Sequence, residues 1–222
     1  MTPLSTFRAV LFDLDGVLLD TEGLYTEATQ AAIAEFGKVF DWSIKRHMIG
    51  RDAVESSAFL IERLGLPLSP EALILREQPI LDRLFEQTRG MPGAAELVQE
   101  LGARNVPIAV ATSSRTALYE KKIARHPWFS HFRLAVTGDD PEVRHLKPSP
   151  DIFLVASARL GIPPEECIVV EDSPAGVEAA RRANMRVIGL PALELGADAL
   201  ARAHVIAKDY ADVRRALFEA LS

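Results

Sequence analysis

Short apolar runs limit what this chain of 222 residues can fold into more than any other feature of its sequence. Each run holds only a few residues and is rich in apolar and β-branched side chains. Near-continuous runs of this length are typical of strands that are buried on both faces, as in parallel sheets. The sequence therefore predicts a parallel sheet with strands at residues 9–12, 106–111, 168–170 and 187–190, and a weaker fifth strand at 133–137.

Helical patterns separate the later runs. Apolar side chains recur at helical spacing in residues 93–103, 150–160 and 174–183. The last of these segments follows Ser173, a suitable N-cap, and begins with Pro174 at the first helical position. Because strands and helices alternate, we predict right-handed βαβ units and an α/β fold with a doubly wound parallel sheet.

One long segment breaks this alternation and contains helical patterns only. Its predicted helices lie at residues 24–36, 42–48, 53–64 and 70–87. Ser69-Pro70-Glu71 is a strong helix start, with a cap, a proline and an acid near the positive end of the helix dipole. We therefore predict two domains: an α/β domain formed by residues 1–20 and 89–222, and a helical domain inserted at residues 21–88.

The charge and the cysteine count disfavour several classes of protein. The chain has 25 Lys+Arg against 31 Asp+Glu, a net charge of −6, whereas nucleic-acid and anionic-membrane binders rely on an excess of basic residues. The apolar run at residues 9–12 is too short for a signal peptide, and no run approaches the roughly 20 residues that span a bilayer. Cys167 is the single cysteine, so a reduced compartment, the cytoplasm, is expected, with a secreted protein without disulfides left open, and Cys167 is expected to be an inert buried thiol.

Polar residues follow the predicted strands at their carboxyl ends. Asp13-Leu14-Asp15-Gly16 follows the first strand, Thr112-Ser113-Ser114 the second, and Glu171-Asp172-Ser173 a later one, while Lys147 stands just before a helix. In open α/β sheets, ligands bind beyond the carboxyl ends of the strands. Each segment alone is compatible with a helix cap, a turn or a solvated strand end, but together and in this order they predict one site.

The carboxylates of this site predict a cation. Asp13 and Asp15 are two residues apart, so in an extended chain they point to the same face, and two such close carboxylates repel unless a cation or a shared proton offsets them. Mg²⁺ held by Asp13, Asp172 and a backbone carbonyl would satisfy this need. Asp15 and Glu171 complete the candidate metal-site residues, and Glu171 is expected to orient metal-bound water.

The same residues predict phosphoryl transfer. Asp13 can attack phosphorus to form an aspartyl-phosphate, and Asp15 can protonate the leaving alkoxide and then deprotonate the hydrolytic water. Lys147 would neutralise charge on Asp13 and on the phosphoryl group. Thr112 and nearby backbone N–H groups would hold the remaining phosphate oxygens, and Ser113 and Ser114 belong to the same candidate phosphate-binding set.

Four segments resemble the motifs of the haloacid-dehalogenase superfamily, in the same order and over essentially the whole chain. They are Phe12-Asp13-Leu14-Asp15-Gly16-Val17-Leu18-Leu19-Asp20-Thr21-Glu22, Ala111-Thr112-Ser113-Ser114, Lys147-Pro148-Ser149-Pro150 and Val170-Glu171-Asp172-Ser173-Pro174-Ala175-Gly176. The position of the helical insert is similar to the branch with a helical-bundle cap, which includes β-phosphoglucomutase and many phosphatases. Residues 126–129 and 137–143 are similar to the pseudouridine-5′-phosphate phosphatases.

The resemblance implies a Rossmann-like core, Mg²⁺, an aspartyl-phosphate intermediate and a cap that closes over the substrate. Cap residues would then choose the substrate, and Glu22 and Arg51 are the candidates, although Arg51 could equally be an exposed arginine at a helix start. Tyr25 stands where β-phosphoglucomutase carries a histidine, which favours a phosphatase over a mutase. The dehalogenases of the superfamily lack the second aspartate, which is present here as Asp15.

The leading hypothesis is a cytoplasmic, Mg²⁺-dependent phosphatase of small phosphorylated metabolites, such as sugar phosphates or nucleoside-type monophosphates. The alternatives are a phosphosugar mutase and a non-enzymatic phospho-acceptor module, which Asp15 and the insert at residues 21–88 disfavour. No nucleic-acid or membrane partner is expected, and the chain is expected to be a monomer, with a homodimer left open. Lys121-Lys122 is expected to lie on a solvated helix face.

Overall fold

The computed structural model describes residues 7–48, 53–192 and 196–220. Within these ranges the chain forms eight β-strands: β1 (Ala9–Phe12), β2 (Leu19–Asp20), β3 (Arg89–Gly90), β4 (Ile108–Ala111), β5 (Leu134–Val136), β6 (Cys167–Glu171), β7 (Arg186–Gly189) and β8 (Val205–Ile206). The same ranges contain nine α-helices: α1 (Glu22–Ile33), α2 (Trp42–Lys45), α3 (Ala53–Leu64), α4 (Pro70–Phe85), α5 (Ala94–Ala103), α6 (Thr116–Ile123), α7 (Asp151–Leu160), α8 (Pro174–Arg182) and α9 (Tyr210–Ala220).

Six strands form a sheet in the order β5-β4-β1-β6-β7-β8, and its neighbouring strands pair in parallel. The central strand is β1, in which Phe12 pairs with Val110 of β4 on one side and with Val170 of β6 on the other. The strand order reverses around β1, which confirms the predicted doubly wound sheet. The carboxyl ends of β4, β1 and β6 therefore lie side by side.

Both faces of the sheet are covered, which explains why the strand sequences do not alternate with polar residues. In β1, Val10 and Phe12 belong to the core on one face, and Ala9 and Leu11 belong to the core on the other. All four side chains are inaccessible to solvent. Each large one contributes about 1.5–3 kcal/mol by its burial.

The chain divides into two compact units, one formed by Met1–Leu19 with Gly90–Ser222 and the other by Asp20–Arg89. We call them the α/β unit and the helical unit. Their boundaries lie one residue from the predicted ones. Strands β2 and β3, which form a separate two-stranded sheet, lie at these boundaries.

The helical unit contains α1 to α4 around its own apolar core, in which Ile33, Leu60 and Leu73 are fully buried. Helix α4 begins where the sequence predicts, because the hydroxyl of Ser69 accepts a hydrogen bond from the backbone N–H of Ala72 at 3.2 Å. The described helices include none that is both long and apolar enough to cross a membrane.

The sequence interpretation placed Lys121-Lys122 on a helix face without giving bounds for α6, and it missed α9 and the three two-residue strands. Helix α9 packs on α5 and buries Tyr210, Val213 and Leu217 against the same core as β1. Its mixture of charged and apolar residues gives a clear helical period, so this omission was avoidable. The two-residue strands were not predictable, because pairing with a neighbour defines them and no apolar run marks them.

Candidate active site

A tight loop follows β1 and carries the first two carboxylates. The backbone N–H of Asp13 donates to the carbonyl of Val170 at 3.0 Å, so the ladder between β1 and β6 continues to the first aspartate. The loop then turns through Gly16, whose φ of 75° suits glycine, and Gly16 N donates to the carbonyl of Leu19 at 2.9 Å. The backbone thus fixes the position of Asp13, and the residue as a whole is only 8% exposed.

Lys147 connects the ends of three strands. Its ammonium donates to Oδ1 of Asp13, to Oε1 of Glu171 at 2.7 Å and to the backbone carbonyl of Ala111 at 3.0 Å. These acceptors lie at the carboxyl ends of β1, β6 and β4 respectively. The structure therefore places Lys147 against the nucleophile candidate Asp13, as its predicted role requires.

The charges around Asp13 are unbalanced. The pKa of Asp13 is raised from 3.8 to about 7: burial is the largest cause, the charges of Glu171 and Asp15 add to it, and Lys147 acts in the opposite direction. Burial alone would lower the pKa of Lys147, but ion pairs and hydrogen bonds with Asp13 and Glu171 outweigh it and hold that pKa above 10.5. Lys147 thus remains charged, and one ammonium does not compensate the carboxylates that surround Asp13.

Glu171 is held at both of its oxygens. Oε1 accepts from Lys147, and Oε2 accepts from the backbone N–H of Ser173 at 2.8 Å and from its hydroxyl at 3.0 Å. Ser173 also caps α8, because its Oγ accepts from Gly176 N at 3.0 Å. A Cβ on Gly176 would overlap the Glu171 carboxylate. Glu171 therefore has no room to move, and its immediate partners are protein donors.

Asp172 lies against the loop after β1. A Cβ on Gly16 would overlap Oδ2 of Asp172, so this carboxylate occupies the space that a side chain at residue 16 would fill. Asp172 also lies close enough to Tyr210 that, after burial, its charge is the largest cause of the raised pKa of that phenol, with Asp13 next. The structure thus places Asp13 and Asp172 in one neighbourhood.

The hydroxyl residues after β4 are built into the sheet edge. Thr112 is buried, its N–H donates to the carbonyl of Val136 at 3.0 Å, and its Oγ1 accepts from Ser114 N at 3.1 Å. The carbonyl of Ser113 fills the space beside Gly138, where a Cβ would overlap it. These contacts fix the segment next to Asp13, while the predicted phosphate contacts of Thr112 and Ser113 remain a prediction.

Asp15 has partners that the sequence interpretation did not assign. Lys122 donates to its Oδ1 at 2.6 Å and to its Oδ2 at 2.8 Å, and Ser114 Oγ donates to Oδ2 at 2.9 Å. The prediction that Lys121 and Lys122 both face solvent was therefore wrong for Lys122, which is buried, although Lys121 is exposed. A signal was present: Lys122 lies on the helix stripe that carries Leu118, Tyr119 and Ile123, which are half-buried.

The residues predicted to choose the substrate belong to the helical unit, and those described there have partners within it. Glu22 forms an ion pair with Lys45 at 2.7 Å, and Lys45 also donates to Thr26 Oγ1 at 2.7 Å. Tyr25 packs edge-to-face on Phe85, with the ring centroids 5.5 Å apart. Arg51 lies outside the described residues.

The fold and this site define a class of protein. A family model described as haloacid dehalogenase-like hydrolase matches residues 7–184, and the chain belongs to this family, as the motifs predicted.

The chain is also similar to two phosphatases by sequence and to a solved hydrolase by structure. (DL)-glycerol-3-phosphatase 2 of Arabidopsis thaliana is 43% identical over 188 residues, which is 82% of this chain and 78% of that protein. A probable pseudouridine-5′-phosphatase of Drosophila melanogaster is 39% identical over 208 residues, 92% of this chain and 90% of that protein. A HAD family hydrolase from Deinococcus radiodurans R1, solved with bound phosphate and sodium, superposes with a TM-score of 0.83 at 29% identity and covers 97% of each chain.

Proposed function

We propose that this chain is a phosphatase that hydrolyses monoesters of small phosphorylated metabolites through an aspartyl-phosphate. The observation that carries the proposal is that Asp13 is buried and bonded to Lys147, and that a second aspartate, Asp15, follows two residues later. A carboxylate nucleophile, a fixed cation beside it and a second carboxylate are the groups that this two-step hydrolysis needs. The phosphatase names of both relatives support the same class of reaction.

In the first step, a carboxylate oxygen of Asp13 forms a bond to phosphorus while the bond from phosphorus to the ester oxygen breaks. Asp15 delivers a proton to the departing alkoxide. In the second step, water attacks the phosphorus of the aspartyl-phosphate, Asp15 takes a proton from that water, and the bond between phosphorus and Asp13 breaks. Lys147 stays charged through both steps and stabilises the negative charge on the phosphoryl oxygens.

We propose Mg²⁺ as the cofactor. Within the described ranges, no group of three or more His, Cys, Asp or Glu side chains is arranged to hold a metal ion. The proposed ligand set is Asp13, Asp172 and a backbone carbonyl, since Mg²⁺ commonly uses one or two carboxylates and keeps several waters. Two observations favour a cation here: the charges of Glu171 and Asp15 add to burial in raising the pKa of Asp13, and Asp172 lies against Gly16, where a side chain would displace it.

Glu171 and Asp15 take outer positions in this proposal, because their oxygens accept hydrogen bonds from Lys147 and Ser173 and from Lys122 and Ser114 respectively. A bound Mg²⁺ would supply charge stabilisation of the transferring phosphoryl group. The solved HAD family hydrolase from Deinococcus radiodurans R1 has bound phosphate and sodium, an anion and a cation, and the proposed site would take one of each.

Glycerol phosphates, sugar phosphates and nucleoside-type monophosphates are the proposed substrates, with the helical unit as the lid that selects among them through Glu22 and Arg51. A mutase remains the second candidate, but the described residues offer nothing that favours it, because Tyr25 replaces the expected histidine and packs on Phe85. A cytoplasmic location and a monomeric state remain part of the proposal.

The test compares wild type, Asp13→Asn and Asp20→Asn with p-nitrophenyl phosphate as the substrate. Asp20 is an exposed aspartate shortly after the same loop and serves as the matched control. We expect turnover by wild type and Asp20→Asn with Mg²⁺, its loss with a chelator, and a fall of at least about 1000-fold in Asp13→Asn. Full activity of Asp13→Asn would overturn the mechanism, and a long-lived phosphorylated wild type would favour the phospho-acceptor alternative.

A hexose 1-phosphate separates phosphatase from mutase. Release of free phosphate supports hydrolysis, whereas conversion to an isomeric sugar phosphate without release of phosphate would replace this proposal with the mutase.

A further inference from the structure

A charged side chain is buried on α6, outside the four motifs that carry the site. Lys122 lies near the carboxyl end of this helix, and its side chain has no exposed surface. Helical side chains point towards the amino terminus of their helix, so Lys122 reaches back towards the segment that connects β4 to α6. Burying an ammonium is unfavourable unless it is paired and hydrogen-bonded. The partners of Lys122 therefore indicate why it is there.

The partners form a closed triangle. Lys122 Nζ contacts both oxygens of Asp15, at 2.6 and 2.8 Å, and the hydroxyl oxygen of Ser114 at 2.9 Å. Ser114 Oγ in turn lies 2.9 Å from Oδ2 of Asp15. A carboxylate held at both oxygens by a buried cation, and at one of them by a hydroxyl as well, cannot rotate about its last bond without losing hydrogen bonds.

The same contacts determine which hydrogen bonds the Ser114 hydroxyl can donate. An ammonium only donates, so Ser114 accepts from Lys122, and its single hydrogen points to Asp15. In this arrangement Ser114 has no hydrogen to offer a phosphate oxygen. Its place in the predicted phosphate-binding set is therefore better explained as support for Asp15.

We propose that Lys122, together with Ser114, is a positioning residue that holds the carboxylate of Asp15 in the orientation in which it exchanges protons with the leaving group and with water. This inference rests on the proposed function, which assigns that exchange to Asp15. The Asp15 side chain is 24% exposed, so part of it is accessible to a reacting group while Lys122 and Ser114 hold the carboxylate. Lys122 touches neither substrate nor phosphorus in this account and acts through Asp15 alone.

The test uses two esters that need the proton to different degrees. The leaving group of p-nitrophenyl phosphate departs without protonation, whereas the more basic leaving group of phenyl phosphate depends on an acid. The measured quantity is kcat/KM with Mg²⁺, because it reports the steps up to the first phosphoryl transfer and not the later hydrolysis. Asp15→Asn should therefore lose more on phenyl phosphate than on p-nitrophenyl phosphate.

Lys122→Met should reproduce this selective loss in weaker form. We expect kcat/KM to fall about 10- to 100-fold for phenyl phosphate and clearly less for p-nitrophenyl phosphate. Lys121→Met, which changes the exposed neighbour, should leave both values near wild type. In the Asp15→Asn background, Lys122→Met should cause no further selective loss, because two residues that act as one unit are not additive.

If Lys122→Met does not fold, as circular dichroism would show, two other variants carry the test. Lys122→Arg keeps a cation and should retain most of the phenyl phosphate activity, whereas Ser114→Ala should show the selective loss. An equal loss on both esters, or a further selective loss in the Asp15→Asn background, would overturn the inference while leaving the proposed function intact. A wild type that releases phosphate from neither ester would instead overturn the proposed function, and this inference with it.

Discussion

Gly16 and Asp172 fit together because residue 16 has no side chain. A Cβ on Gly16 would overlap Oδ2 of Asp172, and the φ of 75° at Gly16 is itself one that residues with a Cβ rarely adopt. The first and fourth motifs are therefore coupled by contact between a backbone and a carboxylate. A glycine after the second aspartate therefore has two reasons: the positive φ of the loop and the space that Asp172 occupies.

We expect Gly16→Ala to weaken Mg²⁺ binding, because the new methyl group displaces Asp172 from its proposed ligand position. Gly161→Ala is the matched control: Gly161 has a similar φ of 68°, but a Cβ there would meet nothing within 4 Å. Both variants should lose about 1 kcal/mol of unfolding free energy through backbone strain. Titration calorimetry should show at least about tenfold weaker Mg²⁺ binding in Gly16→Ala only. Equal affinities in the two variants would contradict the proposed ligand role of Asp172.

The fold was predictable from the sequence because parallel strands leave a strong local signal. The run at residues 9–12 is apolar throughout, since the sheet buries both of its faces, and the three-residue run 168–170 is the middle of the fully buried strand β6. Helix α4 was marked by Ser69 and Pro70. Strand β8 left no such signal, because it is an edge strand of two residues, Val205–Ile206, that is only half-buried.

A second prediction concerns pH and the metal-free protein. The unfolded chain releases the proton of Asp13 near the ordinary pKa of 3.8, whereas the folded protein keeps it up to a pKa of about 7. Folding therefore takes up a proton in this interval, so the free energy of unfolding should fall as the pH rises from about 4 to about 7, by at most about 1.4 kcal/mol per pH unit.

Denaturant unfolding of wild type and Asp13→Asn at a series of pH values isolates this contribution, because the variant cannot titrate at residue 13. The difference between the two curves should change across the interval and level off above it. Saturating Mg²⁺ should flatten the wild-type curve, since a bound cation favours the ionised carboxylate. Parallel curves for the two metal-free proteins would contradict the prediction.

A third prediction concerns Lys147 and stability. Lys147→Met leaves Asp13 and Glu171 buried without their shared cation, and breaking a buried pair in this way costs about 3–5 kcal/mol. The double variant Lys147→Met/Glu171→Gln should recover part of the loss, about 1–2 kcal/mol, because one of the two abandoned charges is removed. Denaturant unfolding measures both values.

Arg159→Met is the control for this experiment. Arg159 also bonds two acids, Asp140 and Glu142, but its side chain is 32% exposed, so its removal should cost less than about 1 kcal/mol. If Lys147→Met loses no more stability than Arg159→Met, the contacts of Lys147 with the ends of β1, β4 and β6 do not stabilise the fold.

The site was only partly predictable, and the reason is physical. Asp13, Lys147 and Asp172 could be placed at one edge of the sheet from the sequence, because they follow or precede recognisable strands and helices and topology brings such positions together. Lys122 lies two turns into a helix, and its role depends on which face of α6 turns towards Asp15. The apolar stripe of Leu118, Tyr119 and Ile123 indicates that Lys122 faces the protein interior, but that its partner there is Asp15 is a tertiary property.

Tyr210, like Lys122, has a contact that depends on tertiary structure, and the last prediction concerns this contact. Its hydroxyl, at the start of α9, donates to the carbonyl of Val17 at 2.6 Å, and both residues are buried. Tyr210→Phe removes the donor and leaves that carbonyl without this partner, so we expect a loss of about 1–3 kcal/mol in the free energy of unfolding. Tyr119→Phe is the matched control: Tyr119 packs its ring on Phe129, and no hydrogen bond of its hydroxyl is seen within the described ranges.

The loss in Tyr210→Phe should also be local. The Val17 carbonyl belongs to the loop in which the N–H groups of Gly16 and Leu18 donate to the carbonyls of Leu19 and Leu14. Hydrogen exchange of these two amides should therefore speed up in Tyr210→Phe and remain unchanged in Tyr119→Phe. If both variants lose the same stability and the loop amides stay protected, the C-terminal helix does not support the loop that carries Asp13 and Asp15, and packing alone explains the burial of Tyr210.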